Sequence, residues 1–147
     1  MSLISESQIM LDCGVKSKDE VIDLFVDLMY ESKKIKDKNL LKEEIYKRED
    51  IANTAIGNEI AIPHALSSEV KEAGLIFIRL KNPINWSCSD KVKYIFGIAV
   101  PKENRNNQHL KILSTLARNL MNENFKNKLL NSKNTEECYR ILNGIGI

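Results

Sequence analysis

The sequence is poor in the residues that metal, redox and secreted-protein chemistry need. Of 147 residues, two are histidine and three are cysteine. Cys13, Cys88 and Cys138 are odd in number and far apart, with no C-x-x-C pair, which excludes a disulfide framework and a cysteine-based zinc site. With no secretory apolar leader at the N-terminus, the expectation is a reduced, cytoplasmic protein. A metal hydrolase needs three protein ligands around an open position, which two histidines without H-E-x-x-H spacing argue against, and there is no G-x-S-x-G for a serine hydrolase. Aromatic residues are 6% of the chain, and 22 basic against 20 acidic residues leave a net charge of only +2. No basic face interleaved with aromatics results, so nucleic acid is not expected as a partner. The longest apolar runs, such as Tyr94 to Val100, are too short to cross a bilayer, so no membrane insertion is expected.

What remains is ordinary globular composition, 43% hydrophobic and 29% charged, at a length that suits one domain, 1–147, with a substantial core. Residues 8–12 read as a short strand, with Cys13-Gly14 as a turn. Ser17 to Glu20 form a capping box, and Val21, Leu24, Phe25, Leu28 and Met29 then recur at helical spacing to about Ser32. The lysine-rich run 32–38 reads as a helix end followed by a solvated loop. A second helix, with Asn39 as N-cap, carries Leu40, Leu41 and Ile45 and ends near Arg48 or Asp50. Residues 75–80 read as a buried strand broken by Asn82-Pro83, and Lys91 to Val100 as another strand, ended by Pro101. After a polar loop, 102–108, His109 opens a helix with Ile112, Leu113, Leu116, Ala117 and Leu120 on one face. Two short helices follow, around Phe125 to Leu130 and from Asn134 or Thr135 to Gly144. Alternating helices and strands predict an α/β fold: a single mixed β-sheet of about four or five strands flanked by helices on both sides.

The densest local pattern lies between Arg48 and Ala65. A charged helix end passes through a turn with Thr54 and Gly57 into an alternating Ile60, Ile62 strand that Pro63 is expected to stop. Proline lacks an N–H and holds the preceding residue extended, so His64 is presented at a strand end. A neutral imidazole there is a competent nucleophile toward phosphorus. Phosphoryl transfer asks mainly for positioning and for donors around the phosphate oxygens. Arg48 can supply a forked donor, His109 a second and the Thr54 hydroxyl a third. Each has a plainer reading: Arg48 as a helix-end surface charge, His109 as a polar helix-start residue, Thr54 as the maker of a turn bond. Glu49 and Glu59 would repel phosphate and are expected to be solvated or engaged in structure.

The spacing Glu49, Ile56-Gly57, Ile60-Ala61-Ile62-Pro63-His64, Ala65 resembles the phosphorylation-site signature of the fructose/mannitol-type IIA components of the bacterial sugar phosphotransferase system. Similar segments extend the resemblance over nearly the whole chain, through Asn85-Trp86, the Tyr94 to Pro101 strand and His109-Leu110. Ala55, where many members carry glycine, is a mild departure. The resemblance implies a sheet with helices on both sides and His64 as the phosphorylated residue, with Arg48 and His109 as its partners. Thr54 is added from its chemistry alone.

It also implies a phosphotransferase that takes phosphate from phospho-HPr and passes it to a cysteine of a IIB component. That component serves the membrane IIC permease; the sugar implied is most nearly fructose, and no cofactor or metal is called for. Two rivals stand beside it: a nitrogen-regulatory-type IIA controlled by its phosphorylation state, and a non-catalytic interaction module. The retained His64, Arg48 and His109 argue against the second. A phosphocysteine loop of the IIB kind beginning at Cys13 is disfavoured by Asp19, which would repel phosphate.

Overall fold

Residues 75–80 form an almost unbroken apolar run because both of their faces are buried. In the computed structural model, which describes residues 3–103 and 107–146, Ile76, Ile78 and Leu80 join one core while Leu75 and Phe77 join another. Along the chain lie a short 3-10 helix (Glu6–Gln8), β1 (Ile9–Cys13), α1 (Lys18–Glu31), α2 (Lys38–Ile51), β2 (Ala55–Gly57), β3 (Ile60–Ala61) and β4 (His64–Ser67). They are followed by β5 (Gly74–Asn85), β6 (Lys91–Pro101), α3 (Gln108–Leu120), α4 (Glu123–Leu130) and α5 (Thr135–Asn143). The sheet is mixed, in the order β1-β5-β6-β3-β2, with β4 also on β6. α1 and α2 cover one face through Val21, Ile22, Phe25, Met29, Leu41 and Ile45. α3, α4 and α5 cover the other through Ile112, Leu116, Leu120, Leu129, Cys138 and Leu142.

The α/β sheet with helices on both sides is the one expected, with six strands. The larger count has a local cause. Ile60 pairs with Tyr94, Ala61 with Ile95 and His64 with Ile98, so β3 and β4 run on β6 in one unbroken parallel register. Pro63 interrupts this line, having no N–H to give β6, but does not end it, because its carbonyl still accepts from the Ile98 N–H at 3.0 Å. His64 therefore opens a resumed strand and does not stand past a strand's end. Pro83 likewise lies inside β5. The partner β1 reaches only to Leu80, and a register shift between Arg79 and Ile84 absorbs the imide.

The start of α2 also differs from expectation. Asp37, not Asn39, is the N-cap: its carboxylate accepts from the N–H groups of Asn39 at 2.8 Å and Leu40 at 3.1 Å. A charged acceptor at the positive end of the helix outcompetes the amide two residues later. α1 starts as read, with the Glu20 N–H donating to the Ser17 hydroxyl at 3.1 Å. It lies close over the sheet because position 97 is glycine, where a Cβ would come within 2.8 Å of Phe25 and Ile76. The middle of the polar loop after β6, 104–106, lies outside the described residues.

Candidate active site

α2 delivers two functional groups from consecutive positions. Leu41, Ile45 and Glu49 fall on one helical stripe, and all three are buried. Arg48, one position earlier, turns toward the surface beside the chain's exit from the helix, where its Nη1 donates to the Ala52 carbonyl at 2.8 Å. Glu49 accepts from four donors at once. Its Oε1 takes the Thr54 N–H at 3.3 Å, the Trp86 indole N–H at 3.0 Å and the Lys18 ammonium at 2.9 Å. Its Oε2 takes the Thr54 hydroxyl at 2.5 Å. At 6% exposure this carboxylate would be costly without such partners.

From Thr54 the chain turns through β2 and a bend at Gly57, whose φ of 91° suits glycine, into β3. The Thr54 carbonyl accepts the Ile62 N–H at 3.0 Å. The Ile62 carbonyl in turn lies 2.8 Å from Nδ1 of His64. A carbonyl can only accept, so Nδ1 carries the ring proton and Nε2 carries the lone pair. Burial, first, lowers the His64 pKa below its ordinary 6.5; the charges of Arg48 and His109 act in the same direction, against the upward pull of the Ile62 carbonyl and the Glu49 carboxylate. The half-buried ring is thus held neutral and in one tautomer, the state a nucleophilic imidazole requires.

Two clefts meet at this ring. The larger, about 790 Å³, is lined by Arg48, Thr54 and His64 on one side and by Leu110, Lys111 and Ser114 of α3 on the other. The smaller, about 330 Å³, contains Glu44, Lys47, Arg48, His64 and His109. The structure thus brings Arg48, Thr54, His64 and His109 to one place, with His64 and Arg48 shared by both clefts. His109 is the second residue of α3, so the N-terminal end of that helix, with its positive dipole, flanks the site. Ile51, Ile56, Leu66 and Leu110, all exposed, stand among the lining residues.

Thr54 has its hydroxyl proton committed to Glu49, which makes the turn-forming role read from the sequence the visible one. Sequence reasoning missed the Glu49 cluster with Lys18 and Trp86, and the cation Lys111. The helical stripe carries a signal for the first: Glu49 falls four residues after Ile45, on the inward face, where a charge requires partners. Among the described residues no group of three or more His, Cys, Asp or Glu side chains is placed to hold a metal ion. No described helix is long and apolar enough to cross a membrane.

Residues 2–144 match the family described as phosphoenolpyruvate-dependent sugar phosphotransferase system, EIIA 2. The chain is 30% identical over 148 residues to the mannitol-specific phosphotransferase enzyme IIA component of Bacillus subtilis (strain 168), covering 99% of both proteins. It is 34% identical over 143 residues to the PTS system fructose-specific EIIABC component of the same organism, covering 96% of this chain. It spans only 22% of the length of that larger relative, and 17% of another. In structure it is similar to nitrogen regulatory protein IIA-Ntr from Neisseria meningitidis, with a TM-score of 0.85, 30% identity and coverage of 95% of this chain and 96% of that one. The fold and the match over residues 2–144 place the chain in the IIA class of the phosphotransferase system. The chain belongs to the EIIA 2 family of the phosphoenolpyruvate-dependent sugar phosphotransferase system.

Proposed function

We propose that this chain accepts a phosphoryl group from the phosphohistidine of HPr onto Nε2 of His64 and passes it to a cysteine of a IIB component. The observation that carries this reading is the 2.8 Å contact between His64 Nδ1 and the Ile62 carbonyl. With the ring proton held on Nδ1, Nε2 attacks phosphorus as the donor's P–N bond breaks. The donor imidazole departs with the electron pair of that bond. In onward transfer a IIB thiolate attacks the same phosphorus, the His64 P–N bond breaks, and the electron pair returns to Nε2. Because Nδ1 still holds its proton, the leaving group is a neutral imidazole and not an imidazolate.

Arg48 places a planar cation beside His64, suited to the equatorial phosphate oxygens. His109 and the N-terminus of α3 supply donors and positive potential from the opposite wall. Thr54 supports the site through its bonds to Glu49, and rotation of its hydroxyl would give the third phosphate donor. No metal or cofactor takes part in this step. The exposed Ile51, Ile56, Leu66 and Leu110 form the apolar part of a surface on which two partners dock in turn. In this reading the protein works in the cytoplasm and serves a membrane IIC permease, with fructose as the first sugar to test, given the identity to a fructose-specific relative.

The similarity to a nitrogen regulatory IIA structure favours a second reading, in which the same phosphorylation governs binding to regulatory targets. Incubation with phosphoenolpyruvate, enzyme I and HPr, followed by a panel of sugar-specific IIB proteins, separates the two. Rapid transfer to a IIB component is the expected result. Labelling with no transfer to any IIB favours the regulatory reading, and no labelling contradicts both.

A further inference from the structure

Glu49 is buried and lies in the helix turn that carries Arg48, yet it presents no group to the cleft. Its four donors come from three other parts of the fold: Lys18 at the start of α1, Trp86 after β5, and Thr54 twice. From Thr54 the contacts continue inward. The Thr54 carbonyl holds the Ile62 N–H at 3.0 Å, and the Ile62 carbonyl holds His64 Nδ1 at 2.8 Å. Meanwhile Arg48 holds the Ala52 carbonyl, so two adjacent side chains clamp both ends of the segment 52–54. Lys18 also lies 4.9 Å from the Trp86 ring centroid, which closes the cluster on its far side. The N–H and C=O of Thr54, and those of Ile62, belong to different peptide groups, so the link is one of position: the buried carboxylate fixes the backbone at Thr54, which fixes Ile62, whose carbonyl holds the ring.

We propose that Glu49 is a positioning residue of the phosphotransfer site, acting through Thr54 and the Ile62 carbonyl to keep the ring proton of His64 on Nδ1. It touches neither phosphate nor partner; it sets which nitrogen of His64 is available to them. The inference rests on the phosphocarrier reading for its consequence, but its physical content, a tautomer, exists in the resting protein.

The test uses the full chain in its unphosphorylated state, with ring-nitrogen NMR of its two histidines. Three proteins are compared: wild type, Glu49→Ala and Glu49→Gln. Glutamine keeps Oε1 as the acceptor for the Thr54 N–H, Trp86 and Lys18, and can donate to the Thr54 hydroxyl oxygen. The expected result is an Nδ1–H tautomer of His64 in wild type and in Glu49→Gln. In Glu49→Ala a substantial Nε2–H population should appear, with phosphate acceptance from phospho-HPr slowed about tenfold. Trp86 indole N–H shifts report whether the cluster itself has come apart. If Glu49→Ala does not fold, Glu49→Met, of similar length, replaces it.

An Nε2–H tautomer in the wild type overturns the proposal whatever the variants do. A folded Glu49→Ala with the wild-type tautomer overturns it as well, as does a Glu49→Gln that fails to restore it. A wild type that takes no phosphate contradicts the phosphocarrier reading instead and leaves the tautomer comparison decisive for Glu49.

Discussion

His64 Nδ1 and the Ile62 carbonyl oxygen, two residues apart on either side of Pro63, face each other at 2.8 Å. Pro63 lies between β3 and β4 without changing their register on β6, which takes the carbonyls of Glu59 and Pro63, while the Ile62 carbonyl accepts from the ring. The chemistry assigned to the site follows from which nitrogen this contact leaves with a lone pair.

His64→Ala is expected to abolish labelling by phospho-HPr. The ring is half-buried between two open clefts, so its loss should change stability by about 1 kcal/mol or less. In the wild type the label should be acid-labile and alkali-stable, as a phosphoramidate is. Labelling that survives in His64→Ala contradicts the assignment.

The His64 ring should titrate below 6.5, because burial, Arg48 and His109 together outweigh the Ile62 carbonyl and Glu49. Phosphate acceptance should then persist as pH falls through the ordinary histidine range. Between the folded pKa and 6.5 the unfolded state binds more protons, so this group's contribution to stability rises with pH across that window. Ring-proton NMR titration checks the direction, and a midpoint at or above 6.5 contradicts it.

Replacing Arg48 tests the cation beside the phosphate. Arg48→Ala should slow acceptance by about a hundredfold, the scale of losing one well-placed donor to a developing charge. Arg48→Lys should fall between, since it keeps the charge but loses the planar fork. Stopped-flow or quench-flow labelling gives the rates, and equal rates in all three proteins would return Arg48 to a helix-end structural role with its Ala52 bond.

With His64 as the proposed nucleophile, His109→Ala should still accept phosphate and should pass it to IIB about tenfold more slowly. Single-turnover transfer from purified phosphoprotein separates this step from docking. An unchanged onward rate in a folded variant leaves His109 a helix-start side chain with no part in the chemistry.

The three cysteines should be dispensable for transfer. Cys88 is exposed, and Cys88→Ser should change neither rate nor stability. Cys138 is fully buried, and burial pushes its thiol pKa up. Cys138→Ser should therefore destabilise the protein by about 1–3 kcal/mol while leaving phosphate acceptance intact in the folded fraction. Thermal unfolding and HPr-dependent labelling of the single variants check both halves.

The helices were largely legible because their signals are local. The Ser17–Glu20 capping box and the apolar spacing of α1 placed that helix to within a residue or two. The misplaced α2 cap came from reading 32–38 as one lysine-rich run and overlooking Asp37 within it. Pro63 and Pro83 misled for a shared reason: whether an imide ends a strand depends on whether the pairing on either side of it survives, and that is a property of the assembled sheet. The signature around His64 singled out in sequence the residue proposed as nucleophile. The contacts that prepare it, from Glu49 through Thr54 and Ile62, join segments that only the fold brings together. Trp86 and Lys18, at opposite ends of that cluster in the sequence, carry no local mark of their meeting.

The central claim is that His64 carries phosphate on Nε2 because Nδ1 is already occupied by its bond to Ile62. Phosphorus–nitrogen NMR of the protein labelled by phosphoenolpyruvate, enzyme I and HPr reads this directly, since coupling identifies the ring nitrogen bonded to phosphorus. The expected result is a single phosphoryl group on Nε2 of His64. Phosphate on Nδ1, or on any residue other than His64, would contradict the account.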